Sequence, residues 1–143
     1  QLRKIRANLK SEISSGLANV EKVGDQILVQ LSNQGSFRSG FAELQASFLP
    51  TLTSVAEAIS SSQGSVTISG HTDNIPIAFS ERFDSNWDLS AARAAAVADF
   101  MMQSNISDER LTVLGFADTQ PVSSNDTALG RQQNRRIEIL IDS

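Results

Sequence analysis

The chain contains no cysteine and no tyrosine, and it has only one histidine, one tryptophan and three prolines. Without cysteine there is no disulfide, no thiolate nucleophile and no cysteine metal ligand. A single histidine cannot complete a tetrahedral zinc site by itself. No stretch approaches the roughly 20 apolar residues that cross a membrane, and no signal peptide opens the sequence. These absences argue against several classes of enzyme but assign no compartment.

The 143 residues are enough for one domain with its own core. Apolar residues make up 40% of the chain and charged residues 20%, which are values typical of globular proteins. The net charge of −4 gives no reason to expect a nucleic-acid partner. Because the first residue is Gln1 and not Met, we interpret the sequence as a piece of a longer protein that could carry a membrane anchor upstream.

The first segment is predicted to be an amphipathic helix. Apolar residues recur there at intervals of three and four, at Leu2, Ile5, Leu9 and Ile13. We therefore divide the chain into an N-terminal linker helix over residues 1–22 and a domain over residues 23–143. All three lysines lie in the first part, so we expect a basic, separable and mobile helix in an otherwise acidic chain.

The remainder alternates between strand and helix patterns. Runs rich in β-branched residues predict strands at 27–31, 66–70, 111–116 and 136–141, while apolar periodicity predicts helices of about 15 residues from near Pro50 and over 88–103. A further helical turn is expected before Gln133. This β-α-β-α-β-β order predicts an α+β fold with a mixed four-stranded sheet, helices packed on one face and a preceding N-terminal helix.

An acidic and a basic side chain occupy informative positions in this order. Asp73 follows the strand Val66–Gly70, and Arg93 comes twenty residues later, one turn inside the next helix. Together they would suit a zwitterionic ligand, since arginine can hold a carboxylate through two N–H donors. On these two residues alone, an ordinary salt bridge between loop and helix is the more common outcome.

Four separated motifs carry a resemblance to a known family. They are Gly70-His71-Thr72-Asp73, Asn86-Trp87-Asp88-Leu89-Ser90-Ala91-Ala92-Arg93-Ala94, Gly115-Phe116-Ala117-Asp118-Thr119-Gln120-Pro121 and Asn134-Arg135-Arg136-Ile137-Glu138-Ile139. In this order they resemble the OmpA-like peptidoglycan-binding domain over residues 27–142. The long loop beginning Asn74-Ile75-Pro76-Ile77, the segment Ser85–Ser90 and the segment Phe37–Leu44 resemble more closely the periplasmic domains of flagellar stator B subunits, the MotB and PomB proteins.

The resemblance implies a binding site and no catalytic, metal or cofactor residues. Asp73 would pair with the ammonium of diaminopimelate in the wall peptide, Arg93 would clamp its carboxylate, and Leu89 would form an apolar wall. The complete implied set is Asp73, Arg93, Leu89, Thr72, Asn86, Arg135 and Arg136. If Arg135 and Arg136 begin a strand, they point to opposite sides. Only one then faces the ligand, and the other bonds to the sheet edge or to Glu138.

The resemblance also implies a role. It is the non-covalent anchoring of an ion-driven flagellar stator to peptidoglycan, by the C-terminal, periplasmic part of a single-pass inner-membrane protein. The implied partners are peptidoglycan, the stator A subunit, a second copy in a homodimer and flagellar basal-body ring proteins. The alternatives are another OmpA-like wall anchor, in a secretion system or a peptidoglycan-associated lipoprotein, and, as a different class, a peptidoglycan-modifying enzyme. The coupling ion is left open.

Three further residues have structural interpretations that we prefer to functional ones. We expect His71 to be a strand-end histidine held by hydrogen bonds and Trp87 to be a packing anchor. Ser90 lies near a helix start and lacks the Gly-x-Ser-x-Gly context of a nucleophile elbow, so we do not expect it to be catalytic.

Overall fold

The computed structural model describes residues 2–34, 36–38, 41–77 and 83–142. The α-helices are α1 (Leu2–Asn8), α2 (Lys10–Ser14), α3 (Leu49–Ser60), α4 (Asn86–Gln103) and α5 (Ala128–Asn134). The strands are β1 (Ala18–Val23), β2 (Gln26–Ser32), β3 (Val66–His71), β4 (Leu111–Gly115) and β5 (Arg136–Asp142). Within the described ranges, every helix is too short or too polar to cross a membrane.

The strands form one mixed sheet in the order β1-β2-β5-β3-β4. Strands β3 and β4 run parallel because helix α4 connects them, whereas the other neighbouring pairs are antiparallel. The α+β class and the mixed sheet are confirmed. The expected number of four strands is wrong, because a fifth strand adds to one edge.

The additional strand, β1, lies within the segment that we predicted to be helical up to residue 22. The chain is helical only as far as Ser14, and Ala18–Val23 then pairs with β2. Gly24, the first residue of a two-residue turn, has a φ of +62°, as in the turns that join tight hairpins. Only two residues of β1 are buried, Ala18 and Val20, so its apolar signal is weak.

The core lies between the sheet and the helices. Ile137 and Ile139 of β5 are fully buried at its centre, and α3 contributes Leu52 and Val55. The N-terminal helices belong to the same core, since Leu9 is 0% exposed and α1 packs against α3 and β1. The N-terminal helices thus pack on the domain, and their mobility stays a prediction.

Two glycines allow α4 to approach the sheet closely. A Cβ atom on Gly70 of β3 would lie 2.1 Å from the carbonyl oxygen of Ser90, and one on Gly115 of β4 would lie 2.7 Å from the amide nitrogen of Ala91. Contacts that short are sterically impossible, so both positions require glycine. The first turns of α4 are thereby held beside the end of β3.

Buried polar groups lie on the face of the sheet opposite the core. His71 is 3% exposed, its Nε2 is 2.9 Å from Ser69 Oγ, and its ring stacks on Phe116, which confirms a histidine held by hydrogen bonding. Burial, together with the positive charge of Arg136, lowers the pKa of His71 to about 4, although Glu138 opposes this shift. Burial also raises the pKa of Glu138, but hydrogen bonds from Gln30 and Arg136 outweigh it and hold that pKa below its usual value.

The lowered pKa of His71 predicts that the protein loses stability in mildly acidic solution. In the unfolded state His71 has a pKa of about 6.5 and is protonated below that pH. In the folded state it becomes protonated only near pH 4, so between these pH values protons bind preferentially to the unfolded state. Stability is therefore greatest above pH 6.5 and falls as the pH decreases towards 4. Between pH 7 and pH 5 we expect the free energy of unfolding to fall by about 2 kcal/mol, measured by urea denaturation.

The control for this prediction is His71→Gln, which replaces the only histidine by a side chain that does not titrate. The variant should show a nearly flat free energy of unfolding over the same pH interval, whatever its absolute stability. Equal slopes for the two proteins would contradict the assignment of the pH dependence to His71.

Candidate functional site

The loop after β3 places Asp73 beside the start of α4. Asp73 is 7% exposed, and its Oδ1 accepts a hydrogen bond of 3.0 Å from the amide of Ile75. Thr72 donates its hydroxyl to the carbonyl of Asp73, and Asn86, the first residue of α4, donates its side-chain amide to the carbonyl of Ile75. These bonds fix the loop so that the carboxylate stays in place.

The end of β4 completes the support of this loop. The amide of Ala117 donates to Ser90 Oγ on α4, and its carbonyl accepts from the amide of Thr72. Ala117 has a φ of +51°, a left-handed conformation uncommon for residues other than glycine. The hydroxyl of Ser90 therefore has a structural role in joining α4 to the end of β4. The cap of α4 is Ser85, whose side chain accepts from the amide of Asp88.

Arg93 extends from α4 into a mostly buried position and is 5% exposed. Its Nε donates to the carbonyl of Phe41 at 2.8 Å, its Nη2 donates to the carbonyl of Arg38 at 3.2 Å, and its guanidinium lies 5.1 Å from the ring centre of Phe37. These two hydrogen bonds use two of the five N–H groups of a guanidinium. The side chain is thus oriented by the segment between β2 and α3.

The electrostatic surroundings of Arg93 include a second arginine. Burial and the positive charge of Arg135 lower the pKa of Arg93 to about 10, and the negative charge of Asp73 partly opposes them. Arg93 still carries its charge at neutral pH. The site therefore brings two guanidinium groups near one carboxylate, an excess of positive charge that favours an anionic group on the ligand.

Arg135, at the end of α5, forms an ion pair with Asp73 through Nη1 and Oδ2. The side chain of Arg135 is 41% exposed, whereas that of Asp73 is only 9% exposed. Among the described residues, no comparable ion pair joins Asp73 to Arg93. The salt bridge that we considered between those two residues is therefore replaced by one to Arg135.

Arg136 is on the face of the sheet opposite the core, because side chains along β5 alternate between the two faces and Ile137 faces the core. It is 4% exposed and donates to Glu138 at 2.8 Å, to the carbonyl of Gln120 at 2.8 Å and to the carbonyl of Asn134 at 3.1 Å. Arg136 thus has structural partners. Of the two neighbouring arginines, Arg135 is the one that lies at Asp73.

The other binding residues that the family resemblance implies lie around Asp73 and Arg93. Leu89, one turn before Arg93, is 5% exposed. Thr72 and Asn86 donate side-chain hydrogen bonds to main-chain carbonyls of the loop that carries Asp73. Trp87 is 54% exposed, so the expectation of a packing anchor is wrong. The described residues contain no cluster of three or more histidine, aspartate and glutamate side chains that could hold a metal ion.

Our reading of the sequence missed the residues that hold Arg93. The carbonyls of Arg38 and Phe41 and the ring of Phe37 precede Arg93 by more than 50 residues, and main-chain carbonyls carry no sequence signal. The aromatic residues of the motif Phe37–Leu44 were the available hint. Ser39 and Gly40 of that motif, and residues 78–82 of the long loop, lie outside the described residues.

Comparison with known proteins gives consistent matches. Motility protein B of Bacillus subtilis is 32% identical over 145 residues, covering 94% of this chain and 55% of the relative. Motility protein B of Escherichia coli is 31% identical over 142 residues, covering 99% of this chain and 44% of the relative. The chain thus spans about half the length of these relatives.

A solved structure is similar over the whole chain. The cell wall anchor of the T6SS from Pseudomonas aeruginosa is 36% identical, with a TM-score of 0.91, and the match covers 100% of this chain and 99% of that one. The model of the OmpA family matches residues 36–135, a range that includes the loop holding Arg93 as well as Asp73, α4 and Arg135. The protein described here therefore belongs to the OmpA family.

Proposed function

We propose that this domain binds the diaminopimelate-containing peptide of peptidoglycan without cleaving it and so anchors a larger assembly to the cell wall. The observation that carries this proposal is the buried arrangement of Asp73 and Arg93 between β3 and α4. Family membership supports it, and so does the similarity to a structure described as a cell wall anchor. The site would lie in the periplasm, in a protein attached to the inner membrane by a single helix.

The chemistry of the ligand matches the charges of this site. The free end of diaminopimelate carries an ammonium and a carboxylate on one carbon atom. Asp73 would receive the ammonium, and the N–H groups of Arg93 that do not bond to the loop would bind the carboxylate end-on. Leu89, buried one turn earlier, would contact the aliphatic chain, while Thr72 and Asn86 keep Asp73 in position.

The same geometry favours binding over catalysis. Asp73 is ion-paired, His71 is stacked and buried on the other face of the sheet, and Ser90 is committed to the amide of Ala117. A wall-binding domain leaves sacculi intact and sediments with them, whereas a peptidoglycan-modifying enzyme releases soluble muropeptides. Incubating the purified domain with sacculi and analysing the supernatant separates the two classes.

Substitution of Asp73 or Arg93 should strongly weaken binding to the wall. We expect Asp73→Asn and Arg93→Ala each to weaken co-sedimentation with sacculi by roughly a hundredfold, because loss of one ligand-binding charge from a buried site costs a few kcal/mol. Arg93→Lys should also weaken binding, since an ammonium cannot reproduce the two parallel N–H donors.

The matched controls are Asp99→Asn and Arg3→Gln, which make the same charge changes at exposed positions on α4 and α1. They should bind sacculi like the unaltered protein. Circular dichroism checks that each variant is folded. Normal co-sedimentation of a folded Asp73→Asn or Arg93→Ala protein would rule out the proposed site.

The assembly that we propose is the flagellar stator, in which the wall-bound domain holds the ion-driven complex in place around the rotor. The two Motility protein B relatives support this assignment because they match nearly the whole chain. The stator A subunit, through the membrane part of the protein, and the basal-body rings would then be its partners.

The second candidate is a wall anchor of a type VI secretion system. The specific observation in its favour is the match to the Pseudomonas aeruginosa structure, which covers both chains almost completely. Peptidoglycan binding would be the same in the two machines. They differ in the protein to which the domain is attached.

Deletion of the gene distinguishes the two assemblies. In the stator assignment, the deletion strain should lose swimming and keep contact-dependent killing of neighbouring cells, and a gene encoding Asp73→Asn should fail to restore motility. Retained swimming with loss of killing would support the secretion system and contradict the stator.

A homodimer is a further part of the proposal. Two weak wall sites on one assembly bind more tightly than one, because the second binding event is intramolecular. Strand β4 is at the edge of the sheet and exposes Val113 and Leu114, so it could pair with a second copy across a two-fold axis. Sedimentation velocity at rising concentration should show a dimer that Val113→Lys weakens. Unchanged dimerisation of that variant would exclude this edge.

A further inference from the structure

Strand β1 directs one row of its main-chain groups away from the sheet. It lies at the edge, with β2 as its neighbour. The amide of Ser32 donates to the carbonyl of Leu17, and bonded and non-bonded pairs alternate along an antiparallel ladder. Ala18, Val20 and Lys22 therefore point their N–H and C=O groups outward. Their spacing of two residues is the one with which a further strand could pair.

Arg6 of α1 contacts this outward row. Its Nε and Nη2 donate to the carbonyl of Val20 at 3.2 and 3.0 Å, which agrees with an outward direction of that carbonyl. A charged side chain at an exposed sheet edge hinders unspecific pairing with other strands. A strand that binds here must therefore offer the guanidinium a new acceptor, and carboxylates form the strongest hydrogen bonds with arginine.

A groove lies beside the edge, between the N-terminal helices and β1. Its volume is about 370 Å³, within the range of roughly 300–1,000 Å³ that is usual for ligand pockets. Two exposed cations, one apolar side chain of α2 and the adjoining part of β1 form its walls. The described residues that line it are Arg6, Lys10, Ile13, Ser14, Asn19 and Val20.

The charge of this part of the chain is opposite to that of the remainder. The first 22 residues contain five basic and two acidic residues, whereas the rest contain seven basic and fourteen acidic ones. Of the two acidic residues, Glu12 is not among the described residues that line the groove. Glu21 lies on the face of β1 opposite Val20 and accepts a hydrogen bond from Asn19. The groove side of this edge is therefore basic.

Charge decides which kind of strand suits this edge. Pairing with β1 of a second copy would bring Arg6 and Lys22 of both copies together, and like charges on paired strands are destabilising. An acidic strand has the complementary charge. Because side chains alternate along a strand, acidic residues at every second position would all face the groove, and uncharged residues between them would lie beside Glu21.

We propose that the β1 edge and its groove bind an extended acidic peptide of a partner protein, which adds a sixth strand to the sheet. The main chain of the peptide would bond to the outward row of β1, and its carboxylates would contact Arg6, Lys10 and Lys22. In such strand addition the main-chain bonds supply affinity and the side chains supply specificity. None of these residues belongs to the proposed wall-binding site, so this surface would serve a second interaction.

Synthetic peptides test the proposal. The probe is acetyl-Thr-Glu-Val-Glu-Val-Glu-Thr-amide, and its control is the same peptide with N-methyl groups on the five central amides, which keeps every charge but removes the donors. Calorimetry in about 0.15 M salt should show affinity for the control to be lower by roughly tenfold or more. By NMR, the probe should slow hydrogen exchange of the amides of Ala18, Val20 and Lys22.

A charge reversal in the groove tests the role of its cations. Lys10→Glu should weaken binding of the probe by roughly tenfold or more, because it places a carboxylate opposite the glutamates of the peptide. The matched variant Arg3→Glu reverses an exposed charge on α1 outside the groove and should change affinity far less. Both variants should still sediment with sacculi, and their thermal unfolding midpoints show whether they are folded.

Several results would overturn the proposal. One is the absence of binding at about 1 mM probe. Equal affinity for the N-methylated peptide, or equal losses in Lys10→Glu and Arg3→Glu, would show general attraction between charges without strand pairing. Binding that leaves the exchange of the three β1 amides unchanged would place the peptide elsewhere on the domain. Because the probe is not a wall fragment, a failure of wall binding alters none of these outcomes.

Discussion

The close packing of α4 on β3 and β4 is the contact on which the rest of the site depends. Gly70 and Gly115 leave no room for a side chain, so the main chain of the helix at Ser90 and Ala91 lies directly against the strands. Arg93 follows within one turn, and Asp73 follows the end of β3. Because both residues start from this contact, their charges come close together although twenty residues separate them in the chain.

The site has two cationic side chains and one carboxylate, and this excess of positive charge determines which ligand charges it suits. Asp73 is almost buried and would be unstable there without a cation, which Arg135 supplies. Arg93 obtains its stabilisation from main-chain carbonyls, so it does not neutralise Asp73 by direct contact. Thus one carboxylate lies beside an additional cation, an arrangement that suits a ligand with both charges.

Hydrophobic periodicity did not predict the fifth strand, β1. The residues from Leu2 to Ile13 have a clear helical pattern, but the linker helix that we placed over residues 1–22 overlooked β1, which buries only Ala18 and Val20. An edge strand with one neighbour and polar residues between its apolar ones gives a weak signal. The positive φ of Gly24 is the local feature that reverses the chain. Its pairing partner, β2, had been recognised as a strand on its own.

The sequence by itself determined the order of elements from β2 onwards, the start of α4 near its Ser85 cap and the presence of a carboxylate and a guanidinium at one end of the sheet. These features depend on periodicity, capping and turn chemistry, which act over a few residues. Only the tertiary structure decided that Arg135, 62 residues from Asp73, is its ion partner, and that carbonyls 52 and 55 residues from Arg93 orient that side chain. Such contacts depend on the order of strands in the sheet and on which of several like charges reaches a buried carboxylate, and no local pattern encodes either.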